Sequence, residues 1–155
     1  MTLYHHIRKI LTPLVGLLLL LPLQNGISRG EGMDENDVTF IASLDVFEST
    51  LSSKDIRDIF LGKKCKWTDG KEIIIAVMYQ TEAHQQFTKK YTRKTSAQFM
   101  TYWKHMVFIG QGRFPKSIAS ETEMIDFVAK SHGVIGYVSK LPLNEKRVKP
   151  IELSD

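Results

Sequence analysis

The chain has 155 residues, of which 43% are hydrophobic and 25% are charged, a balance that is ordinary for one globular domain with its own core. This composition excludes a repeat array, a fibre and a generally disordered chain. The net charge of +4 is too small to indicate a nucleic-acid partner by itself.

The first predicted element is a secretory signal peptide over residues 1–28. Arg8 and Lys9 precede the apolar segment Ile10–Leu23, and small residues follow it, which is the order of regions in a signal peptide. The apolar segment is short for a membrane span and contains two prolines, so an uncleaved anchor is the weaker alternative. We therefore expect export to the periplasm, with the glycine-rich, charged residues 29–36 as a linker.

A folded domain is predicted over residues 37–140, and its first strand is Asp37–Ser43. Ser52 is a natural N-cap for the helix that follows, and Gly62 supplies a left-handed residue that ends this helix. A turn then leads into Glu72–Tyr79, whose β-branched run predicts a strand buried on both faces.

Three more helices and one strand complete the predicted domain. The helices begin at the capping residues Thr81, Thr95 and Ser120, and the strand is Gly133–Ser139. Residues 141–155 contain two prolines and alternating charges, so we expect a flexible C-terminal tail. The alternation of strands and helices predicts an α/β sandwich in which helices flank a mixed sheet.

Cys65 is the only cysteine, so no disulfide can form within this chain. The adjacent lysines Lys64 and Lys66 favour the thiolate form, which leaves a redox or pairing role open. An unpaired thiol on a basic corner, without an assigned role, is the simpler interpretation.

The sequence gives no support for catalysis or metal binding. It contains no nucleophile elbow and no P-loop, and Asp55 and Asp58 are explained as exposed carboxylates on one helix. His84, His105 and His132 are widely spaced and have no companion ligands at metal-binding distances in the sequence. We therefore expect a non-enzymatic protein without a cofactor or a metal ion.

Several stretches together resemble one known family. They are LSSKDIRDIFLGKKCKW (Leu51–Trp67), the apolar strand that ends at Val77, FIGQGRFP (Phe108–Pro115) and GVIGYVS (Gly133–Ser139). These stretches are similar to the phosphate-type substrate-binding proteins of ABC transporters, which have the type 2 periplasmic-binding-protein fold. Complete members of that family have two lobes and are considerably longer, so the resemblance implies a compact, single-lobe member.

The resemblance also implies where an anion would bind. The large relatives carry an arginine and then a Ser-Gly-Thr turn, which opens a helix that ends in phenylalanine. If Phe87 is that phenylalanine, Thr81 takes the place of the serine. Glu82 and Ala83 then replace the glycine and the threonine, and the arginine falls at about Val77. One hydroxyl is kept, but Glu82 places a carboxylate where the helix dipole would attract an anion.

Two functional hypotheses follow. The first is an exported solute-binding-like domain that holds phosphate or another small oxyanion for transport or sensing, with Ser43, Thr81 and Arg113 as ligand-binding residues. A helix cap at Thr81, a turn hydroxyl at Ser43 and a solvated loop at Arg113 explain the same residues without a ligand. The second is a protein-interaction module of the cell envelope that has kept the fold and lost the ligand. The expected partners are an envelope protein, a permease or a second copy, and not a nucleic acid.

Overall fold

The computed structural model describes residues 37–154. The predicted signal peptide and linker, residues 1–28 and 29–36, lie outside this range. Among the described residues, no helix is long and apolar enough to cross a membrane.

Six strands of the described range form one sheet: β1 (Thr39–Ala42), β2 (Thr50–Leu51), β3 (Ile74–Val77), β4 (Lys116–Ser117), β5 (Val134–Val138) and β6 (Lys149–Leu153). Their order across the sheet is β2-β6-β1-β5-β3-β4. β1 runs antiparallel to both of its neighbours, β5 and β6, whereas β3 runs parallel to β4 and β5. The predicted mixed sheet is therefore confirmed.

Four α-helices lie in the same range: α1 (Ser53–Phe60), α2 (Glu82–Phe87), α3 (Ser96–Phe108) and α4 (Glu121–Lys130). A π-helix, Thr88–Thr92, joins α2 to α3. The predicted capping residues Ser52, Thr81, Thr95 and Ser120 all accept a backbone N–H from the first turn of their helix. These contacts satisfy donors that a helix N-terminus otherwise leaves unpaired.

Helices cover both faces of the sheet. Two neighbouring residues of β5 show this, since neighbouring residues of a strand point to opposite faces. On one face, the Tyr137 ring stacks on Phe87 of α2 with ring centroids 4.4 Å apart, and Phe60 of α1 packs beside it. On the other face, Met124 of α4 packs directly against Gly136. All five residues of β5 are buried as a result, which is the pattern of a central strand.

The prediction that the strand Glu72–Tyr79 is buried on both faces is wrong at Ile74 and Ile75, the first two residues of β3. Ile74 is exposed and Ile75 is half-buried, because β4 pairs only with Ala76 and Val77. The amino end of β3 therefore has no neighbouring strand on its β4 side and remains open at the surface.

The prediction of a flexible tail is wrong for Lys149–Leu153, which form β6 and pair with both β1 and β2. Ile151 is buried in the core, and its neighbours in β6 are more exposed. Pro150 lies outside the residues that pair with β2, so its missing N–H does not interrupt that ladder. Pro142 and Pro150 led to the prediction of a tail, although Pro150 itself lies within a strand.

Candidate functional site

A pocket of about 430 Å³ lies where β3 and β5 end and α2 begins. We call it the strand-end pocket, and it is lined by Asp37, Thr81, Glu82, Ala83, Gln86, Glu121 and Ser139. Ligands of α/β proteins commonly bind at the carboxyl ends of strands. The family resemblance implies an anion at the same place.

Thr81 lies in the strand-end pocket, and local hydrogen bonds occupy its hydroxyl. The hydroxyl donates to the Met78 carbonyl at 2.9 Å and accepts the His84 N–H at 3.2 Å. Its single proton is therefore directed at the backbone. This geometry favours the interpretation of Thr81 as the cap of α2.

The charge of the strand-end pocket is negative. Asp37 accepts from Lys90 at 2.7 Å and from the Tyr91 hydroxyl at 2.8 Å, and Glu121 accepts the Ser139 N–H at 2.7 Å. Glu82 adds a third carboxylate at the first position of α2, and none of the lining residues is basic. An oxyanion would meet carboxylates here and no lining cation, so electrostatics disfavour its binding.

Ser43 lies at the opposite end of the sheet from Thr81. β1 is antiparallel to β5, so the end of β1 meets the beginning of β5, where the Ser43 N–H donates to the Val134 carbonyl at 3.0 Å. The side chain of Ser43 is buried and bonded within the protein. The expectation that Ser43 shares a pocket with Thr81 is therefore wrong.

Arg113 is also placed away from the strand-end pocket. It lies in a cleft of about 570 Å³ at the amino end of β3, formed by residues 72–75, residues 110–116, Gly62, Lys64, Cys65 and Trp103. We call this the basal cleft. The Arg113 side chain is 90% exposed, and its nearest carboxylate is Glu72 at 3.8 Å. The three predicted ligand residues thus do not converge on one site.

Trp103 of α3 forms one wall of the basal cleft. Its indole N–H donates to the Phe60 carbonyl at 3.2 Å, which fixes the ring beside the end of α1. Gly62 has a φ of 69°, and a Cβ there would lie 2.9 Å from the ring. Glycine is therefore required at Gly62 for both the turn and the close approach.

Four exposed apolar residues either line the basal cleft, as Ile74 and Phe114 do, or stand next to its lining residues in the chain, as Phe108 and Ile109 do. We call these four residues the apolar rim. Phe108 is 89% exposed and Phe114 is 46% exposed. Phe108 and Ile109 directly precede the cleft residues 110–116. This apolar rim is bordered by basic residues, including Lys64, Arg113 and Lys116.

His84 of α2 is fully buried, and its Nδ1 lies 2.6 Å from the Tyr137 hydroxyl. Burial lowers the pKa of His84 to about 4 and raises the pKa of Tyr79 to about 12. The imidazole is therefore neutral at pH 7, and its Nδ1 shares a hydrogen bond with the Tyr137 hydroxyl. His84 is shielded from solvent, so it is a core residue and not an accessible general base.

Sequence reasoning missed the carboxylates of the strand-end pocket and the exposed rim of the basal cleft. Asp37 and Glu121 are far from Thr81 in the sequence, and strand pairing brings them together. Phe108 could have been found, because its helical spacing places it off the face that carries Phe99 and Trp103. Among residues 37–154, no three His, Cys, Asp or Glu side chains are close enough to hold a metal ion.

Comparison with known proteins finds similarity in structure. No protein-family model and no curated protein matches the sequence. The solved structure of PstS from Borrelia burgdorferi matches 76% of this chain with a TM-score of 0.57 and 15% identity. A possible phosphate binding protein from Planctomyces limnophilus matches 77% with a TM-score of 0.51 and 12% identity.

These matches cover 47% and 42% of the two solved chains, so this chain spans less than half of their length. At this level of identity the likeness shows the fold alone. The predicted resemblance is confirmed at that level: the described domain has the mixed α/β fold found in phosphate-type substrate-binding proteins.

Proposed function

We propose that this chain is an exported, non-enzymatic domain with a substrate-binding-protein fold that docks onto an acidic protein of the cell envelope through the basal cleft. The signal-peptide pattern of residues 1–28 supports export. The observation that carries the proposal is the exposed apolar rim of the cleft beside basic residues.

The apolar rim supports protein docking because two of its side chains line the cleft and the other two adjoin the lining residues in the chain. Phe108, Phe114, Ile109 and Ile74 together expose two aromatic rings and two branched aliphatic side chains. Exposed apolar groups clustered in this way are typical of interaction sites, and buried aromatic anchors supply much of the affinity of protein interfaces.

The charge of the basal cleft determines the chemistry of the partner. Three basic residues line the cleft, namely Lys64, Arg113 and Lys116. Lys116 is exposed and forms no ion pair with any described residue, whereas Lys64 pairs with Asp55 at 2.9 Å. Arg113 has only the distant carboxylate of Glu72. An acidic protein surface with apolar side chains would complement this cleft. A second copy is disfavoured, because a two-fold dimer through this face would bring like charges together.

The oxyanion hypothesis has less support at its predicted residues. Ser43 is buried at the far end of the sheet, and Arg113 is in the basal cleft. Thr81 alone lies in the strand-end pocket, among three carboxylates. We therefore favour the interaction module over a lobe that holds phosphate at its strand ends.

Photo-crosslinking in cells that express the full chain tests the proposal. A benzophenone amino acid is placed at Phe108, where the nearly complete exposure of the side chain makes the change harmless to packing. We expect one discrete adduct with an acidic envelope protein. The double variant Arg113→Glu, Lys116→Glu should reduce its yield strongly, since it reverses the charge of the cleft.

The matched control places the same crosslinker at Leu143, which is fully exposed and lies outside the cleft. An equal adduct from Leu143, or an adduct whose yield is unaffected by the charge reversal, would contradict docking through the basal cleft. An adduct of two copies of this chain would overturn the choice of an acidic partner. Absence of any adduct at Phe108 would contradict the proposal as a whole.

A further inference from the structure

A third cavity, of about 610 Å³, is formed where the π-helix leads into α3. We call it the α3 cavity. It is lined by Gln85, Lys89 and residues 93–98, none of which lines the basal cleft or the strand-end pocket. The α3 cavity is therefore a separate surface of the domain.

Three cations line the α3 cavity, and no carboxylate does. They are Lys89, Arg93 and Lys94, and none of them forms an ion pair within the part of the chain that the structure describes. Lys89 and Arg93 are exposed, whereas the Lys94 ammonium lies 5.3 Å from the centroid of the Tyr102 ring. Cations without counter-charges on a concave surface attract an acidic group.

Asp37, the first residue that the structure describes, is fixed beside this cavity. Its carboxylate accepts from Lys90 at 2.7 Å and from the Tyr91 hydroxyl at 2.8 Å, and both donors belong to the π-helix. Lys89, which lines the cavity, directly precedes Lys90 in that helix. The residues before Asp37 are therefore tethered at a point that adjoins the α3 cavity.

The residues that precede Asp37 are acidic. Residues 31–36 contain the carboxylates of Glu31, Asp34 and Glu35 and no basic residue, and we call them the acidic segment. Six residues can span about 20 Å when they are extended. The acidic segment is therefore long enough to reach from Asp37 to the cations of the α3 cavity.

Charge decides which neighbouring surface suits the acidic segment. Asp37 also lines the strand-end pocket, where Glu82 and Glu121 are the other charged lining residues. Carboxylates of the segment would be repelled there and attracted by the cations of the α3 cavity. Of these two surfaces, the α3 cavity is the complementary one.

We propose that the acidic segment docks onto the α3 cavity of its own chain, with its carboxylates paired to Lys89, Arg93 and Lys94. Individual exposed ion pairs contribute little, but the covalent tether at Asp37 gives the segment a high effective concentration at the cavity. The docked segment neutralises this basic surface and leaves the basal cleft open to an acidic partner. The inference itself does not rest on docking at the basal cleft.

A spin label on the acidic segment tests the proposal by NMR. The full chain is labelled with ¹⁵N, and a nitroxide is attached at Gly32→Cys in a Cys65→Ser background, which removes the exposed native thiol. We expect the amide signals of residues 96–98, at the start of α3, to lose intensity and to regain it when the nitroxide is reduced. Raising the salt concentration from about 0.1 M to about 1 M shortens the Debye length from about 10 Å to about 3 Å, so the intensity loss should become smaller.

Two sets of charge variants in the labelled chain identify the contact. Glu31→Gln, Asp34→Asn, Glu35→Gln removes the negative charges of the acidic segment, and Lys89→Gln, Arg93→Gln removes two positive charges of the cavity. We expect either set to abolish the intensity loss at the start of α3, because each removes one side of the ion pairs.

The matched control, Lys140→Gln, Lys146→Gln, removes the same charge from two exposed lysines outside the cavity and should leave the intensity loss unchanged. A loss that persists in either charge set, or that the control reduces equally, would overturn the proposal. A loss centred on the basal cleft or the strand-end pocket, or no loss at the start of α3, would overturn it as well. None of these outcomes bears on docking at the basal cleft, which the crosslinker at Phe108 tests separately.

Discussion

Ser43 is a single buried hydroxyl that connects three elements. Its Oγ donates to the Val128 carbonyl of α4 at 3.1 Å and accepts the Val134 N–H of β5 at 3.1 Å. Ser43 itself follows β1 directly. Since the side chain is buried, water cannot replace either bond without a rearrangement of the core.

We predict that Ser43→Ala lowers the free energy of unfolding by about 2 kcal/mol. The change leaves the Val128 carbonyl and the Val134 N–H without a partner in the core. Urea denaturation of the two proteins measures the difference. The control is Ser139→Ala, the same change at an exposed serine, which should have an effect below about 0.5 kcal/mol. A similar small effect at Ser43 would contradict its role as a connector.

At the scale of elements, the sequence predicts the helices better than the edges of the sheet. The four helix starts follow from capping residues whose contacts are local. β2 and β4 have two residues each, too few to show a period. β6 carries Pro150, and its place between β1 and β2 depends on pairing with residues distant in the sequence.

We predict that Ile151→Ala lowers the free energy of unfolding by about 2–4 kcal/mol, the usual cost of removing a buried aliphatic side chain. Ile151 lies in β6 opposite Phe40, and both are buried. Thermal or urea denaturation checks the change. Glu152→Ala is the control, because this neighbour is exposed. Equal stability of the two variants would mean that β6 contributes little and would favour the flexible tail.

At the scale of the molecule, the candidate site could not be predicted from single residues, because strand direction decides which loops meet. Thr81 follows a strand that runs parallel to β5, whereas Ser43 follows one that runs antiparallel to it. Their loops therefore leave opposite ends of the sheet. Arg113 precedes β4, which runs parallel to β3, so it lies at the same end as Ser43.

The distribution of charge separates two surfaces of the domain. Carboxylates line the strand-end pocket, whereas the basal cleft is mainly basic. The fold alone would direct attention to the strand ends, where α/β proteins commonly bind ligands. Electrostatics instead favour the basal cleft for an acidic partner, so this domain and a phosphate-holding lobe can share a fold and differ in function.

The stability of the whole domain should depend on pH through His84, which lies among Tyr79, Phe87, Phe99 and Tyr137. The unfolded imidazole binds a proton near pH 6.5, whereas burial lowers the folded pKa to about 4. The unfolded state therefore holds more protons between these values, and the free energy of unfolding falls as the pH falls. We predict a loss of up to about 3 kcal/mol over this interval, measured by urea denaturation. His84→Gln should remove this component of the slope, and His105→Gln, at an exposed histidine, should retain it. An unchanged slope in His84→Gln would contradict the prediction.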